Sequence, residues 1–254
     1  GSGGLTVDAA GNLQVAGSVQ SGAAVVMSAA QIKASQAKMA ADGLLVLQSG
    51  AGMSLDRSEL QSADMLLSSG GDLQANGTRL NVRGDMRLSS AGEATITAGS
   101  LAAGGQVSLQ SEGELSLLAS ATSTHEVVGN TTRDTTRYAR TDVSAGTDVA
   151  AQSRNGLLTL DGAQVQAGGS LSLQGAGVAL LARKDSTSEV TLTSTTTTRP
   201  STETPVGTKL QAGGGIAVLA CLAWAGAGWA LERACRIPPT DTGEPDTPPS
   251  PEVS

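Results

Sequence analysis

The sequence predicts an all-β fold, a parallel β-helix (solenoid) with coils of about 20 residues and extrahelical β-hairpins. The first observation is a repeat: the phrases at 84–88 (GDMRL) and 105–109 (GQVSL) start 21 residues apart, and another glycine phrase follows each after eight residues. The second is that apolar and polar residues alternate within each phrase, as in a strand with one buried face. The third is composition, since 254 residues with 33 glycines and no phenylalanine suit a narrow coil better than a wide aromatic core.

The first strand of each coil follows a start position where the chain turns, usually at a glycine. The predicted starts are Gly3, Gly22, Gly43, Ala63, Gly84, Gly105, Thr147 and Gly169. The inward pairs predicted for these strands are Leu5/Val7, Ala24/Val26, Leu45/Leu47, Met65/Leu67, Met86/Leu88, Val107/Leu109, Val149/Ala151 and Leu171/Leu173. Because a sheet covered on its inner face needs an apolar residue at every level, we expect one interior column through Leu45, Met65, Met86, Val107 and Leu171.

A second strand and a weaker third strand complete each coil. The inward residues predicted for the second strands are Leu13/Val15, Ile32/Ala34, Met53/Leu55, Leu73/Ala75, Ala94/Ile96, Leu115/Leu117, Leu158/Leu160 and Ala179/Leu181. Those predicted for the third strands are Met39/Ala41, Leu60, Leu80/Val82, Leu101/Ala103 and Val165/Ala167. With each coil about 4.8 Å above the last, the stack makes a rod of roughly 40 Å.

Two polar, threonine-rich segments interrupt the repeat. The step from Gly105 to Thr147 is twice the usual length, and a second excursion follows the last regular coil. Threonine favours strands and tolerates solvent, so we expect β-hairpins that leave the coil. The predicted organisation is β-helix at 1–119, a hairpin excursion at 120–141, β-helix at 142–182, a threonine-rich hairpin or linker at 183–206, a partial coil with an apolar segment at 207–231, and a disordered tail at 232–254.

The apolar run at 216–231 allows several interpretations. It is shorter than the roughly 20 residues of a membrane span, but a short membrane anchor is one hypothesis. A frame change after Leu219 is another, because the alternation of the repeat stops inside a coil. We expect the segment after Leu219 to be partly helical and loosely attached, or disordered.

Composition also bounds the partners. The net charge is −7 and no lysine or arginine block is present, so we expect no nucleic-acid partner. Cys221 and Cys235 lack zinc-site spacing, and we expect free thiols or an incidental pair. We expect no cofactor. No secretory signal pattern opens the chain, and we interpret it as part of a longer protein.

The glycine phrases at 70–73 (GGDL), 104–109 (GGQVSL) and 168–173 (GGSLSL) resemble the haemagglutinin repeat of filamentous haemagglutinins. The wider group is the large two-partner-secretion exoproteins, which include contact-dependent growth-inhibition toxins. The resemblance implies a right-handed β-helical shaft, export through an outer-membrane transporter partner, and display at the bacterial cell surface. It also implies a receptor on a host or neighbouring cell, for adhesion, virulence or toxin delivery. This chain carries neither a recognisable secretion domain nor a toxin domain, so these roles rest on analogy.

Arg83, Gly84 and Asp85 form the tripeptide that integrins recognise on exposed loop tips, which makes them a candidate adhesion motif. The alternative is that Gly84 is the coil-start glycine and Asp85 the polar residue after it, a pairing that Gly71 and Asp72 repeat without an arginine. Short motifs occur often by chance, so we favour the structural interpretation.

Asp72, Glu93 and Glu114 lie nine residues after consecutive coil starts and should form an outward acidic ladder, one residue per coil. Like charges at that spacing repel each other unless water or a cation screens them. A calcium site and a polysaccharide-lyase site are two hypotheses for the ladder. We favour a third, a solvated turn ladder, because no arginine or lysine cluster nearby supplies a lyase base.

His125 is the only histidine, and no serine or cysteine nucleophile motif accompanies it, so we expect an exposed structural residue. Three functional classes follow: a structural and adhesive shaft, a carbohydrate-active enzyme, and a short-span membrane protein. Carbohydrate enzymes usually offer aromatic platforms to sugars, and this chain has one tyrosine and two tryptophans. We therefore favour the shaft and do not expect an enzyme.

Overall fold

The structure, a computed structural model, describes residues 3–192 and 197–220. This part consists of strands and turns without a helix, and forms a parallel β-solenoid of about eight coils with about 21 residues per coil. The predicted fold class is therefore confirmed. Within the described ranges, no helix is long and apolar enough to cross a membrane. The predictions for 221–231 and 232–254, with Cys221 and Cys235, lie outside the described residues.

The first three strands are long, because the chain stays extended around the bends. β1 and β2 each run around a whole coil, and β3 covers two sides of the third. The strands are β1 (Leu5–Ser21), β2 (Val25–Ala41), β3 (Leu44–Asp56), β4 (Glu59–Ser62), β5 (Asp64–Ser69), β6 (Asp72–Asn76) and β7 (Arg79–Val82).

The later coils use shorter strands, and two polar insertions add strands outside the wall. The elements are β8 (Met86–Ser90), β9 (Ala94–Thr97), β10 (Ser100–Ala103), β11 (Val107–Ser111), β12 (Leu115–Leu118), β13 (Ser120–Val128), β14 (Thr131–Ala139), β15 (Asp142–Ala145), β16 (Val149–Ser153), β17 (Leu157–Asp161), β18 (Gln164–Ala167), β19 (Leu171–Gly175), β20 (Gly177–Leu192), β21 (Thr197–Thr198), β22 (Ser201–Gly207), β23 (Lys209–Ala212) and β24 (Ile216–Ala220).

Each coil has three sides joined by three corners. In the fifth coil the sides are β8, β9 and β10. We call the bend between the first and second sides corner A (91–93 in this coil), the bend between the second and third sides corner B (98–99), and the bend into the next coil corner C (104–106). Strands of successive coils pair in parallel, side upon side.

The interior is a dry stack of aliphatic side chains. Leu45 pairs with Met65, Met65 with Met86 and Met86 with Val107, and the column continues through Val149 to Leu171. All of these side chains are buried, so the predicted interior column is confirmed. Parallel sheets covered on the inner face need such a column at every level.

Two predicted inward pairs are wrong by one residue. In the second coil the buried pair is Val25 and Met27, with Val26 turned outward. In the eighth coil Val178 and Leu180, rather than Ala179 and Leu181, stack on Leu158 and Leu160. A slip of one residue moves every side chain to the other face, and turn length sets that register.

The eighth coil and the strand above it are less well covered than the interior below. Leu180, Leu181 and Ile216 are each nearly half exposed.

Both polar insertions leave the coil at corner B. β15 follows the first insertion and is the third side of the sixth coil, paired with β10 below and β18 above. β23 follows the second and is the third side of the eighth coil, paired with β18. Neither β15 nor β23 was among the third strands predicted from the sequence.

Candidate functional site

Corner C is held by aspartate side chains that accept hydrogen bonds from the next coil. The backbone N–H of Asp85 donates to Asp64 Oδ1 (2.9 Å), and that of Gln106 donates to Asp85 Oδ1 (2.8 Å). The backbone N–H of Ser170 makes the same bond to Asp148 Oδ1 (2.6 Å). A carboxylate that accepts backbone N–H bonds satisfies donors that the turn would otherwise leave unpaired.

The glycine of the repeat phrase is needed because this carboxylate lies beneath it. A Cβ on Gly84 would lie 2.3 Å from Asp64 Oδ1, and a Cβ on Gly105 would lie 2.1 Å from Asp85 Oδ1. A Cβ at either position would displace the carboxylate and break its hydrogen bond to the next coil. The glycine and the aspartate of the coil below are therefore one structural unit.

The tripeptide Arg83, Gly84 and Asp85 lies at corner C, between the fourth and fifth coils. Asp85 is exposed, but one of its carboxylate oxygens is already bonded to Gln106. Arg83 Nη2 donates to the carbonyl oxygen of Asp42 two coils below (2.6 Å). Each residue of the motif therefore has a role in the corner itself.

Asp72, Glu93 and Glu114 stand in one exposed column at corner A. The pairing of Leu73 with Ala94, and of Ala94 with Leu115, places each acidic residue directly above the last. Asp72 Oδ1 accepts the backbone N–H of Glu93 (2.9 Å), the same device as at corner C. Within 3–192 and 197–220, no three His, Cys, Asp or Glu side chains are grouped so as to hold a metal ion.

A row of buried serines, which was not predicted from the sequence, closes corner A from inside. The hydroxyls of Ser90 and Ser111 each donate to two carbonyl oxygens, at 2.7 and 2.9 Å. The row comprises Ser49, Ser69, Ser90, Ser111 and Ser153. Its signal in the sequence is a serine at the end of the first side in the third to seventh coils, as in LVLQS, MRLSS and VSLQS.

Corner B turns the chain through a residue in the left-handed region of φ. The turn is made by Arg57 (φ 46°), Gly77 (φ 58°), Ala98 (φ 49°) and Gly162 (φ 61°) in successive ordinary coils. The equivalent residues at the two insertions are Ala119 and Ala182, as the pairing of the flanking strands shows. From there the chain continues outward as β13 and β20 instead of turning.

Where each insertion re-enters the coil, a threonine hydroxyl forms hydrogen bonds to backbone carbonyl oxygens of the coil. Thr141 Oγ1 donates to the carbonyl oxygens of Leu118 (2.6 Å) and Ile96 (3.3 Å). Thr208 Oγ1 donates to those of Leu181 (2.6 Å) and Leu160 (2.9 Å). Thr141 is fully buried, so it belongs to the coil and not to the excursion predicted at 120–141. A serine or threonine two residues before the apolar residue of the third strand was the available signal.

The two insertions form one antiparallel sheet, which the sequence did not predict. β13 pairs with β14, β14 with the outer half of β20, and β20 with β22. We call residues 120–139, 182–192 and 201–207 the projecting sheet. Its strands leave the rod from the sixth and eighth coils and meet across the seventh.

The base of the projecting sheet is fastened to the rod by an ion pair. Arg183 Nε lies 2.8 Å from each carboxylate oxygen of Asp161, which is 4% exposed at the end of β17. The hydrogen bond and the charge of Asp161 raise the pKa of Arg183. Val206 is buried beside Gly162. The backbone N–H of Tyr138 donates to Asp185 Oδ1 (2.8 Å).

Further out, charged and hydroxyl side chains link the strands. Arg133 Nη2 bonds Glu189 Oε2 (2.7 Å), and this hydrogen bond with its charge raises the pKa of Arg133. Lys184 Nζ lies 2.8 Å from Glu203 Oε2. This hydrogen bond and the charge of Glu203 raise the pKa of Lys184.

His125 Nδ1 lies 2.5 Å from Asp134 Oδ1, and both side chains are well exposed. The pair links β13 to β14, where His125 and Asp134 are direct neighbours across the two strands.

The architecture defines the chain as a parallel β-solenoid protein with one lateral β-sheet. Comparisons with protein-family models, curated proteins and solved structures gave no match. The projecting sheet, which departs from the regular coils, is the candidate functional site.

Proposed function

We propose that this chain is a segment of the shaft of a large secreted bacterial surface exoprotein, an adhesin, a haemagglutinin or the stalk of a contact-dependent inhibition toxin. It acts as a rigid scaffold for display and adhesion. The observation that carries the proposal is a rod of coils in register that holds a polar sheet out to one side.

The rod supports a role in spacing. Each coil from the second to the seventh pairs with the coil below and the coil above on all three sides, and the interior is filled by aliphatic residues. Hydrogen-bonded corners at A, B and C limit twisting between coils. Each added coil lengthens such a rod by about 4.8 Å, so repetition sets reach without changing the local structure.

The projecting sheet supports a role in contact. It carries mainly Ser, Thr and charged side chains, and most residues of β13 and β22 are exposed. Among the described residues, it is the part that lies outside the regular coils of the rod. Adhesion to a receptor would therefore use this sheet, and not the tripeptide at 83–85, whose side chains are engaged in corner C.

Export through an outer-membrane transporter fits the same architecture. Coils contact mainly their neighbours, so a chain that emerges from a pore can add one coil at a time to the stack. Residues 1–220 contain no cysteine, so this folding needs no disulfide. The location is the cell surface or the medium outside it.

Surface labelling tests the proposal. An antibody against 120–140 should label intact cells of the source bacterium, and deletion of the gene for its transporter partner should abolish labelling. Labelling that requires permeabilised cells would contradict it.

Adhesion is tested with beads that carry the purified chain. Beads should bind target cells, and removal of both 120–140 and 183–207 should abolish binding, whereas Asp85→Ala should not. The opposite pattern would move adhesion to the tripeptide. Cleavage of polygalacturonate by the purified chain, lost in Glu93→Gln, would contradict the shaft and favour a lyase.

A further inference from the structure

One edge of the projecting sheet lacks the usual protection against strand pairing. Among the described residues β13 pairs with β14 alone, and its residues from 121 to 128 are exposed. Its nine residues include no proline, glycine or lysine. The opposite edge, β22, is shorter and carries Pro205. Short length and proline are devices by which proteins keep edge strands from pairing, and β13, whose one acidic residue is Glu126, has neither.

We propose that β13 pairs antiparallel with β13 of a second copy of this chain, with the two-fold axis at Thr124. Strand addition at a free edge supplies main-chain hydrogen bonds, and pairing of a strand with itself gives a closed, isologous dimer. The proposal does not depend on the role of the rod as a shaft.

Charge selects the register. Glu126 on β13 lies opposite Arg133 in the sheet, but Arg133 is bonded to Glu189. Neither Glu126 nor Arg137 on β14 is in any of the ion pairs of the described residues. Arg137 lies beside Thr122 in the sheet. Antiparallel pairing centred on Thr124 places the second copy's Glu126 opposite Thr122, in the row of Arg137 and on the same face. The two carboxylates and two guanidinium groups then form a pair of symmetric ion pairs, each across one intervening strand.

The same register covers exposed apolar surface. Val127 is 61% exposed and Val128 is 65% exposed. The second copy's Val127 lies opposite Ala121, whose neighbour in the row is the half-buried Tyr138. Cross-strand neighbours on one face lie about 4.5–5.5 Å apart at their Cβ atoms, so each valine loses contact with water. The tip of each hairpin lies beside the base of the other, which sets the rods about 30 Å apart, the length of nine extended residues.

Sedimentation equilibrium of the full chain tests the surface with two matched variants. Thr124 and Thr202 occupy opposite edges of one row of the sheet, through Thr135 and Thr187. In the Thr124→Lys variant, the two introduced lysines face each other across the two-fold axis. Like charges directly opposite repel, so dimerisation should weaken at least about tenfold. Thr202→Lys should leave it unchanged. A wild-type monomer at millimolar concentration, equal effects, or no effect of Thr124→Lys would overturn the proposal; the last would indicate association elsewhere, as at coil ends.

The register has its own tests. Glu126→Arg and Arg137→Glu should each weaken the dimer, and the double variant should restore it; failure to restore would contradict the ion pair. In a Cys221→Ser, Cys235→Ser background, mild oxidation should link two Thr124→Cys chains, since residues directly opposite in antiparallel strands meet the distance limits of a disulfide. Thr202→Cys should give no linked dimer. Equal linkage of both variants would rule out the axis at Thr124.

Discussion

At the scale of single residues, the glycine that opens the repeat phrase is explained by a contact between successive coils. Glycine stands where the carboxylate of the coil below would meet a Cβ, and the residue after it donates its N–H to that carboxylate. Gly92 and Asp72 repeat the arrangement at corner A. The acidic character of the turns therefore satisfies backbone donors, which explains a recurring Gly-Asp pair without a ligand.

The carboxylate of Asp85 should be worth a measurable part of the stability. Asp85→Ala leaves the N–H of Gln106 without this acceptor and should lower the free energy of unfolding by about 0.5–1.5 kcal/mol. Asp85→Asn keeps an acceptor oxygen and should cost less. Urea unfolding measures both, with the exposed Asp8→Ala as control. Equal midpoints for Asp8→Ala and Asp85→Ala would show that the bond contributes nothing.

The interior column should not tolerate charge. Leu109 is 1% exposed between Leu88 and Ala151, so Leu109→Asp buries an unpaired carboxylate and should destabilise the chain by at least about 3 kcal/mol. Ser108→Asp is the matched control, because Ser108 faces outward beside Arg87. We expect it to unfold near the wild-type denaturant concentration. A similar loss in both variants would contradict the assignment of inward and outward faces.

At the scale of elements, the turn at corner B determines whether the chain continues along the coil or leaves it as part of the projecting sheet. Ala98 turns at φ 49° and Gly162 at φ 61°, while Ala119 and Ala182 occupy the same position of corner B in their own coils and lead outward. The left-handed turn is costly for a residue with a Cβ. Pairing with another strand outside the wall offers the segment an alternative set of hydrogen bonds, which β13, β14, β20 and β22 realise together.

Removal of an insertion should leave the coil intact. Deletion of 120–140 joins Ala119 to Thr141, the spacing that Ala98 and Gly99 show one coil below. We expect the far-UV circular dichroism of a β protein and a cooperative urea transition, because Thr141 keeps its bonds to Leu118 and Ile96. Deletion of 183–207 should behave alike. Loss of all cooperative unfolding on deletion of 120–140 would show that the segment is part of the core.

At the scale of the whole molecule, stability is shared between neighbours along one axis. Each coil contacts the one below and the one above, as in other solenoids, so interactions add along the stack. The projecting sheet is the exception, because β14 of the sixth coil pairs with β20 of the eighth. Coils six to eight should therefore open together, while the first coils should open separately.

Truncation tests this distribution. Removal of 1–41 takes away the first two coils. The remaining coils should keep their strands, because the third coil still pairs with the fourth on all three sides. Hydrogen exchange should rise in β3 and β4, which lose their lower neighbours, and stay unchanged in β16 to β19. Collapse of protection throughout the chain would indicate one global core and contradict the nearest-neighbour stack.

The amino-acid pattern is sufficient to set the class of fold, because a repeat of about 20 residues with a period of two can bury its apolar face only by stacking coil on coil. It also placed the column from Leu45 to Leu171 and the two polar insertions. These properties depend on the local pattern alone, and every coil repeats them.

Tertiary structure alone decided the rest. Whether Val25 or Val26 faces inward depends on the length of a turn, which shifts register without changing composition. The union of the two insertions into one sheet depends on their lying two coils apart at the same corner, a relation between residues such as Arg133 and Glu189 that are 56 positions apart. Such pairing has no local signature, because it arises only when the stack has brought both segments to one side of the rod.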